Sequence, residues 1–345
     1  MRIAVLFNDV SRELDNIATS DVLVQCDAVE AALGRLGHST ERIACSLELA
    51  SLQQSLRGWR PDVVFNLVES LGGSDRLMGA VTMLTESLSL PTTGSGTTGI
   101  VLSGDKLVAK RLLAQIGVRS SRWFDPTKQA WIGSILDCES FSKPPDRFIV
   151  KSVLEHASRG MDDNSVIPWS NAKQLLQRLD EFQQDNGCQA MAEEFIDGRE
   201  FNLSLLEQNS QTLVLPPAEI DFQNLPTDKP KIVGYAAKWD AESVEYQATP
   251  RTFEFPASDG DLLVEMCDTA HKCFDLFQLS GYARVDFRVN HQGQIFVLEA
   301  NANPCLSPDA GFAAALAQAG IAFDDAIQSL LTIAMKRHPR NALCS

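Results

Sequence analysis

The chain has 345 residues, enough for two or three domains with cores of their own, and its 44% hydrophobic and 22% charged content is ordinary for a globular protein. A net charge of −15 argues against a nucleic-acid partner, which requires a basic patch, although a few local lysines still make a positive pocket for a nucleotide. The eight cysteines form no CxxC pair, which weighs against a zinc site or a disulfide framework. No run reaches the length of a membrane span, and the apolar residues 3–7 are too few for the core of a signal peptide, so a cytoplasmic location without a membrane partner is expected.

Residues 1–95 read as an N-terminal α/β domain. Residues 3–7 form a buried strand, Val22, Val29, Ala32, Leu33 and Leu36 fall at helical spacing, and Gly37 ends that helix. A second strand covers residues 62–67, followed by the loop Glu69-Ser-Leu-Gly-Gly-Ser-Asp75 and a helix over about 77–88. Ligands of such open units sit beyond the carboxyl ends of strands. Gly94-Ser-Gly-Thr-Thr-Gly99 matches GxGxxG, but no clear strand precedes it and no acid stands about 20 residues on, so it reads as a crossing between domains.

Residues 96–188 read as a central domain. A helix from Asp105 carries Lys106, with Val108, Leu112, Leu113 and Ile116 as its apolar stripe. Phe148-Ile-Val-Lys151 is a strand ending in lysine beside the polar loop 155–161, a place where lysine and loop amides suit phosphates. Ser170 or Asn171 caps a helix that Gly187 stops. Residues 189–345 form a C-terminal domain, in which Glu193 and Glu200 flank a turn at Asp197-Gly198, Lys238 sits among apolar neighbours, and 259–277 is an amphipathic helix.

The segment 281–304 reads as a hairpin turning at 290–293. Pairing Val289 with Gln294 would set Arg284 opposite Glu299 and Asp286 opposite Val297, with Asp286 and Glu299 as diagonal neighbours roughly 7–8 Å apart. Arg284, Asp286, Glu299 and Asn301 then share one patch of hard oxygen ligands beside a guanidinium, an inventory that suits Mg²⁺ carrying phosphates. An exposed Arg–Glu ion pair is the plainer alternative.

In this order, Phe148-Ile-Val-Lys151, Glu193-Glu-Phe-Ile-Asp-Gly-Arg-Glu200 and Arg284-x-Asp286 followed by Leu298-Glu-Ala-Asn-Ala-Asn-Pro304 resemble the ATP-grasp fold in its D-alanine–D-alanine ligase branch, over nearly the whole chain. The resemblance implies a three-domain architecture with α/β and α+β parts. Lys106, Lys151 and Lys238 would hold phosphates, with Ser158 in the flap that closes over them. Glu193 would accept from the adenine amino group, the backbone at Ile196 would read the purine edge, and Glu200 would hold the ribose. Asp286, Glu299 and Asn301 would bind two Mg²⁺ ions, Mn²⁺ being a substitute, and Arg284 would face the transferring phosphoryl group. The implied reaction phosphorylates a carboxylate and lets an amine displace the phosphate, in a homodimer acting on small molecules.

The amino-acid half departs from the family. A Gly-Gly-x-Ser loop is replaced by Asn8-Asp-Val-Ser-Arg-Glu13-Leu-Asp15, which keeps acids in Glu13 and Asp15 but no glycine. A family histidine is replaced by Glu69, a flap serine by Ala157, its tyrosine partner by Trp239 and Pro-Gly by Pro304-Cys305, and a substrate-binding serine aligns near Ala310, next to Asp309. Glu69 would repel a carboxylate and favour a cation. A ligase for another amino acid, peptide or specialised metabolite is therefore the second reading, with a non-catalytic ATP binder and a dehydrogenase on the GxGxxG motif as remoter ones.

Overall fold

The computed structural model describes residues 1–11, 17–133, 143–154 and 158–338. Its first sheet is parallel, with β1 (Arg2–Asn8) between β2 (Ser39–Cys45) and β3 (Val63–Asn66) and with α1 (Ile17–Arg35) and α2 (Leu49–Trp59) as crossovers. Both faces of β1 are covered: Ile3 and Val5 enter one core, Ala4 and Leu6 another. β2 and α2 escape a reading by periodicity because each buries only two apolar side chains, Ile43 and Cys45, and Leu52 and Leu56.

α3 (Gly79–Ser87), α4 (Thr97–Gly104) and α5 (Lys106–Gln115) follow. The GxGxxG glycines serve close packing. Gly94 has φ +78° against the Tyr282 ring, and a Cβ on Gly99 would stand 3.0 Å from the Gln278 carbonyl oxygen. On α5 the apolar stripe is rotated from the expected one: Ala109 and Leu113 are buried with Lys106 and Lys110, while Ile116 is exposed. The cause is that the helix turns its lysines, not its most apolar edge, toward the centre of the molecule.

The second sheet runs β5-β4-β8-β6-β7, made of β4 (Trp123–Asp125), β5 (Ala130–Ile132), β6 (Arg147–Ser152), β7 (Val166–Pro168) and β8 (Ala190–Glu194). α6 (Ala172–Asn186) covers it through Leu175, Leu179 and Phe182, capped by Asn171, whose side chain accepts from the Gln174 N–H, and stopped by Gly187 at φ 63°. β8 pairs with β6, so the strand that a division at 188/189 assigns to the C-terminal part belongs to this sheet.

The third sheet comprises β9 (Gly198–Gln208), β10 (Gln211–Val214), β11 (Ala218–Ile220), β12 (Arg251–Thr252), β13 (Tyr282–Asn290) and β14 (Ile295–Asn301), in the order β12-β11-β9-β13-β14 with β10 on β9. Two short helices, α7 (Tyr235–Trp239) and α8 (Val244–Gln247), lie between β11 and β12. α9 (Gly260–Leu276) seals one face with Met266, Ala270, Cys273 and Phe274, and α10 (Gly311–Gln318) and α11 (Phe323–Arg337) carry the chain back onto the first sheet. No helix among the described residues is long and apolar enough to cross a membrane.

The hairpin register differs from the expected one. Val289 faces Ile295 and Phe287 faces Val297, but a bulge then places Asp286 opposite Glu299 and Arg284 opposite Asn301. Leu298 is the extra residue. Were Leu298 paired regularly with Asp286, the alternation of β14 would turn Glu299 to the core side with Val297; with the bulge, Glu299 shares a face with Asp286 while Ala300 returns to the core beside Val285. The turn is closed by Asn290, whose N–H donates to Gln294 O and whose side-chain oxygen accepts from the Gln292 and Gln294 N–H groups.

Leu205 lies on the fully buried side of β9 within this core. Replacing it with alanine should cost about 2–5 kcal/mol through lost transfer energy and a residual cavity. The measurement is the urea unfolding midpoint, and an unchanged midpoint would remove Leu205 from the core.

Candidate active site

A cavity of about 980 Å³ opens between the second and third sheets, with one end bordered by loops of the first. Lys106, Lys151, Ser158, Glu193, Ile196 and Glu200 line it. So do Lys238, Arg284, Asp286, Glu299 and Asn301, and toward the first sheet Glu69, Cys305 and Asp309. Glu13 and Asp15 lie outside the described residues, as does the flap stretch 155–157 with Ala157.

One wall is the polar face of β9, β13 and β14. Strand pairing sets Glu200 opposite Arg288 and Asn202 opposite Asp286, which in turn faces Glu299. Arg288 reaches Glu200 at 3.2 Å, and burial pushes that carboxyl above its ordinary range despite the guanidinium. Arg284 donates from Nε and Nη2 to the two oxygens of Asp286, at 2.8 and 2.9 Å, and Asn202 adds a bond of 2.9 Å to Oδ1. The arginine's ion pair is therefore with Asp286 two residues along its own strand, not with Glu299 across the hairpin. Asp286, Glu299 and Asn301 offer oxygen only, with neither imidazole nor thiolate among them. Among the described residues no three His, Cys, Asp or Glu side chains gather as a closed metal cage. Two carboxylates and one amide suit Mg²⁺, which keeps waters and takes further oxygens from phosphates.

The opposite wall carries the lysines. Asp105 caps α5 by accepting from the N–H groups of Leu107 and Val108, and the Lys106 N–H donates to Val153 O just past β6, which brings Lys106 beside Lys151. Lys106 stands 3.7 Å from Glu299 and so spans the cavity. In the β6–β8 register Glu193 faces Ile149 and is diagonal to Lys151, whose Nζ lies 2.5 Å from its Oε1. Lys110, one turn beyond Lys106, binds the other oxygen at 2.8 Å. Burial raises the Glu193 carboxyl, but Lys110 and Lys151 outweigh it and hold it at about 2. Burial likewise lowers Lys106, Lys110 and Lys238, with neighbouring carboxylates opposing.

Residues 158–163 border the cavity and contact the segment 229–245. Ser158 donates to Val233 O at 2.8 Å, the Tyr235 N–H donates to Met161 O at 2.9 Å, and Lys229 bridges Asp163 and Glu245. Arg159 reaches Gly73 O in the first sheet's loop at 3.3 Å.

The end toward the first sheet is acidic. Gln25 on α1 donates to Glu69 at 2.9 Å, while Asp21 one turn earlier accepts from Ser307 at 2.9 Å and from the Cys305 thiol at 3.1 Å. Burial, then Glu69 and Asp21, push that thiol far above its ordinary range, so it stays protonated. Asp75 also lines this end, and Asp309 presents its carbonyl to Arg251. Asp21, Lys110, Asn202 and Arg288 were not singled out from the sequence. Alternation from Glu200 to Asn202 and from Asp286 to Arg288, and the one-turn spacing from Lys106 to Lys110, were the available signals.

Burial pushes the Glu69 carboxyl up to about 7, with Gln25 pulling down and Asp21 and Asp75 pushing further up. Folded Glu69 thus keeps a proton that the unfolded chain loses near its ordinary value of 4.5, so stability falls as pH rises from there through about 7. Glu69→Gln should melt near the parent at about pH 5 and above it at about pH 8. Equal differences at both pH values would contradict this burial.

Residues 114–332, more than half of the chain, match the family described as D-ala D-ala ligase C-terminus. A D-alanine–D-alanine ligase of Aquifex aeolicus is 28% identical over 96% of this chain and 100% of its own length. D-alanine–D-alanine ligase A of Mesorhizobium japonicum is 30% identical over 80% of this chain and 72% of its own. The crystal structure of the Bacillus anthracis D-alanine–D-alanine ligase complexed with ATP superposes with a TM-score of 0.71 over 98% of both chains at 20% identity, which establishes the fold. The chain therefore belongs to the D-alanine–D-alanine ligase family, ATP-dependent carboxylate–amine ligases built on the ATP-grasp fold.

Proposed function

We propose that this chain phosphorylates the carboxylate of an amino acid with ATP and joins the acyl group to an amine, releasing ADP and phosphate. The observation that carries the reading is the meeting, in one cavity, of Lys106, Lys151 and Lys238 with the acidic face of the hairpin. Lys106, Lys151 and Lys238 neutralise the nucleotide phosphates, and Ser158 lies in the flap over them. Glu193 accepts from the adenine amino group, the Ile196 backbone meets the purine edge and Glu200 holds the ribose. Asp286, Glu299 and Asn301 would hold two Mg²⁺ ions, or Mn²⁺, which when bound offset charge on the transferring phosphoryl group. Arg284 turns from Asp286 toward that group, and with a backbone N–H near Cys305 it stabilises the oxyanion formed when the amine attacks. The docked flap keeps water from the acyl phosphate.

D-alanine, the substrate named for the relatives, is the first candidate for both partners. A second reading keeps the chemistry and changes the substrate to another amino acid, peptide or specialised metabolite. It is supported by Asp21 and Glu69, whose hydrogen-bond partners among the described residues are the neutral Gln25, Ser307 and Cys305. That surrounding favours an amino group or other cation. We further propose cytoplasmic residence, a homodimer and a functional division near residues 95 and 188, with Glu13, Asp15 and Asp309 as candidate substrate-binding residues.

Phosphate release from ATP and Mg²⁺ should be followed against single and paired D- and L-amino acids and small peptides. Turnover with D-alanine alone supports the first reading, and silence with D-alanine but turnover with another pair supports the second. Asp286→Ala or Glu299→Ala should lower turnover about a hundredfold or more; full activity in either would overturn the metal assignment. Glu69→His should move selectivity toward carboxylate-bearing substrates, and an unchanged profile would take Glu69 out of the pocket.

A further inference from the structure

Lys110 differs from the other lysines in approaching from behind the cavity wall. It is 1% exposed and is absent from the cavity lining, whereas Glu193 and Lys151 belong to it. Its Nζ donates to Ser121 O at 2.9 Å and to Ser121 Oγ at 2.8 Å, and it lies 2.8 Å from Glu193 Oε2. The Ser121 hydroxyl in turn donates to the same Glu193 oxygen at 3.0 Å. One oxygen of Glu193 is thus committed to a closed cluster behind the wall, while the other faces Lys151 on the cavity side.

This arrangement bears on the reading, made above, that Lys151 holds a nucleotide phosphate. Here Lys151 is bonded to Glu193, so a phosphate must compete with a buried carboxylate for it. A buried carboxylate that loses its only cation is strongly disfavoured, and without another cation the competition would run against the phosphate. We propose that Lys110 is the standing counter-ion of Glu193, which lets Lys151 move from Glu193 to the nucleotide phosphate without stranding a bare buried charge. Lys110 is in that sense a positioning residue for ATP capture: it touches neither phosphate nor base. Ser121 fixes the lysine's direction by accepting from it twice, and a serine between the two charges keeps Oε2 turned away from the cavity.

The test is ATP binding by calorimetry on the full-length protein with Mg²⁺, together with KM for ATP and for the amino-acid substrate. Lys110→Met should weaken ATP binding at least about tenfold and raise KM for ATP similarly, with a much smaller change in KM for the amino acid. Glu193→Gln alone sets the baseline, since Glu193 also accepts from the adenine amino group; adding Lys110→Met to it should cost little further ATP affinity, because a neutral amide no longer ties Lys151. Lys110→Arg should keep the affinity. Lys151→Met separates the two layers of the argument. If it leaves ATP binding unchanged, the phosphate reading itself fails. If it weakens ATP binding while Lys110→Met does not, or if Lys110→Met costs as much affinity in the Glu193→Gln background as in the parent, the counter-ion role is wrong and the phosphate reading survives. Should Lys110→Met not fold, Ser121→Ala loosens the same lysine and should weaken ATP binding several-fold; unchanged affinity there overturns the proposal equally.

Discussion

Side chains on three neighbouring strands converge on one cavity only if the registers of all three agree. In this protein β13 is the reference. Its pairing with β9 sets Asn202 beside Asp286 and Glu200 beside Arg288, and its pairing with β14 sets Glu299 beside Asp286. The second pairing depends on a single bulged residue, Leu298, because side chains alternate and a one-residue slip exchanges the two faces. Val285, Phe287, Val297 and Ala300 keep the other face in the core, so the hydrophobic packing that stabilises the sheet also holds the acidic row in place.

The cavity gathers more buried charge than an interior tolerates unless each group is balanced. Lysines and carboxylates are accordingly interleaved: Glu193 between Lys110 and Lys151, Glu299 within reach of Lys106, Asp286 against Arg284, Glu200 against Arg288. Desolvation shifts Lys106 and Lys110 down and Glu200 up, and their oppositely charged partners oppose those shifts. A binding site built this way is charged before any ligand arrives. Nucleotide phosphates and cations would exchange for partners already present, with little net movement of charge out of water. Contacts of Ser158 with Val233, Met161 with Tyr235 and Asp163 with Lys229 join two segments at the edge of the cavity.

Much of this was legible in the order of residues. Lysine at a strand end, glutamates flanking a tight turn and an acid-bearing hairpin are local patterns, and the spatial meeting of Lys106, Lys151 and Lys238 with the hairpin acids follows from the fold they resemble. What stayed hidden was long-range or slight. The bulge at Leu298 adds one residue to an otherwise regular apolar run, so counting back from the turn misses the shift. Lys110 reads as a solvated helix lysine until its partner, far along the chain on another element, is known. Asp21 reads as a helix beginning, and its approach to Glu69 and Cys305 depends on the fold setting α1 beside the loop after β3 and the segment after β14. β2 and β5 carry too few buried residues for any periodicity to announce them.

The two ends of the cavity rest on different parts of the chain. Lys106, Lys151, Lys238, Glu200 and the acidic row come from the second and third sheets and from α5 and α7, whereas Asp21, Gln25, Glu69 and Asp75 come from α1 and the loop after β3, meeting the rest through the short segment from Cys305 to Ser307. Over evolutionary descent such a layout lets the two ends diverge at different rates. On the assignment proposed above, a lineage that adopts a new substrate rewrites part of one helix and two loops and keeps the framework of lysines and acids.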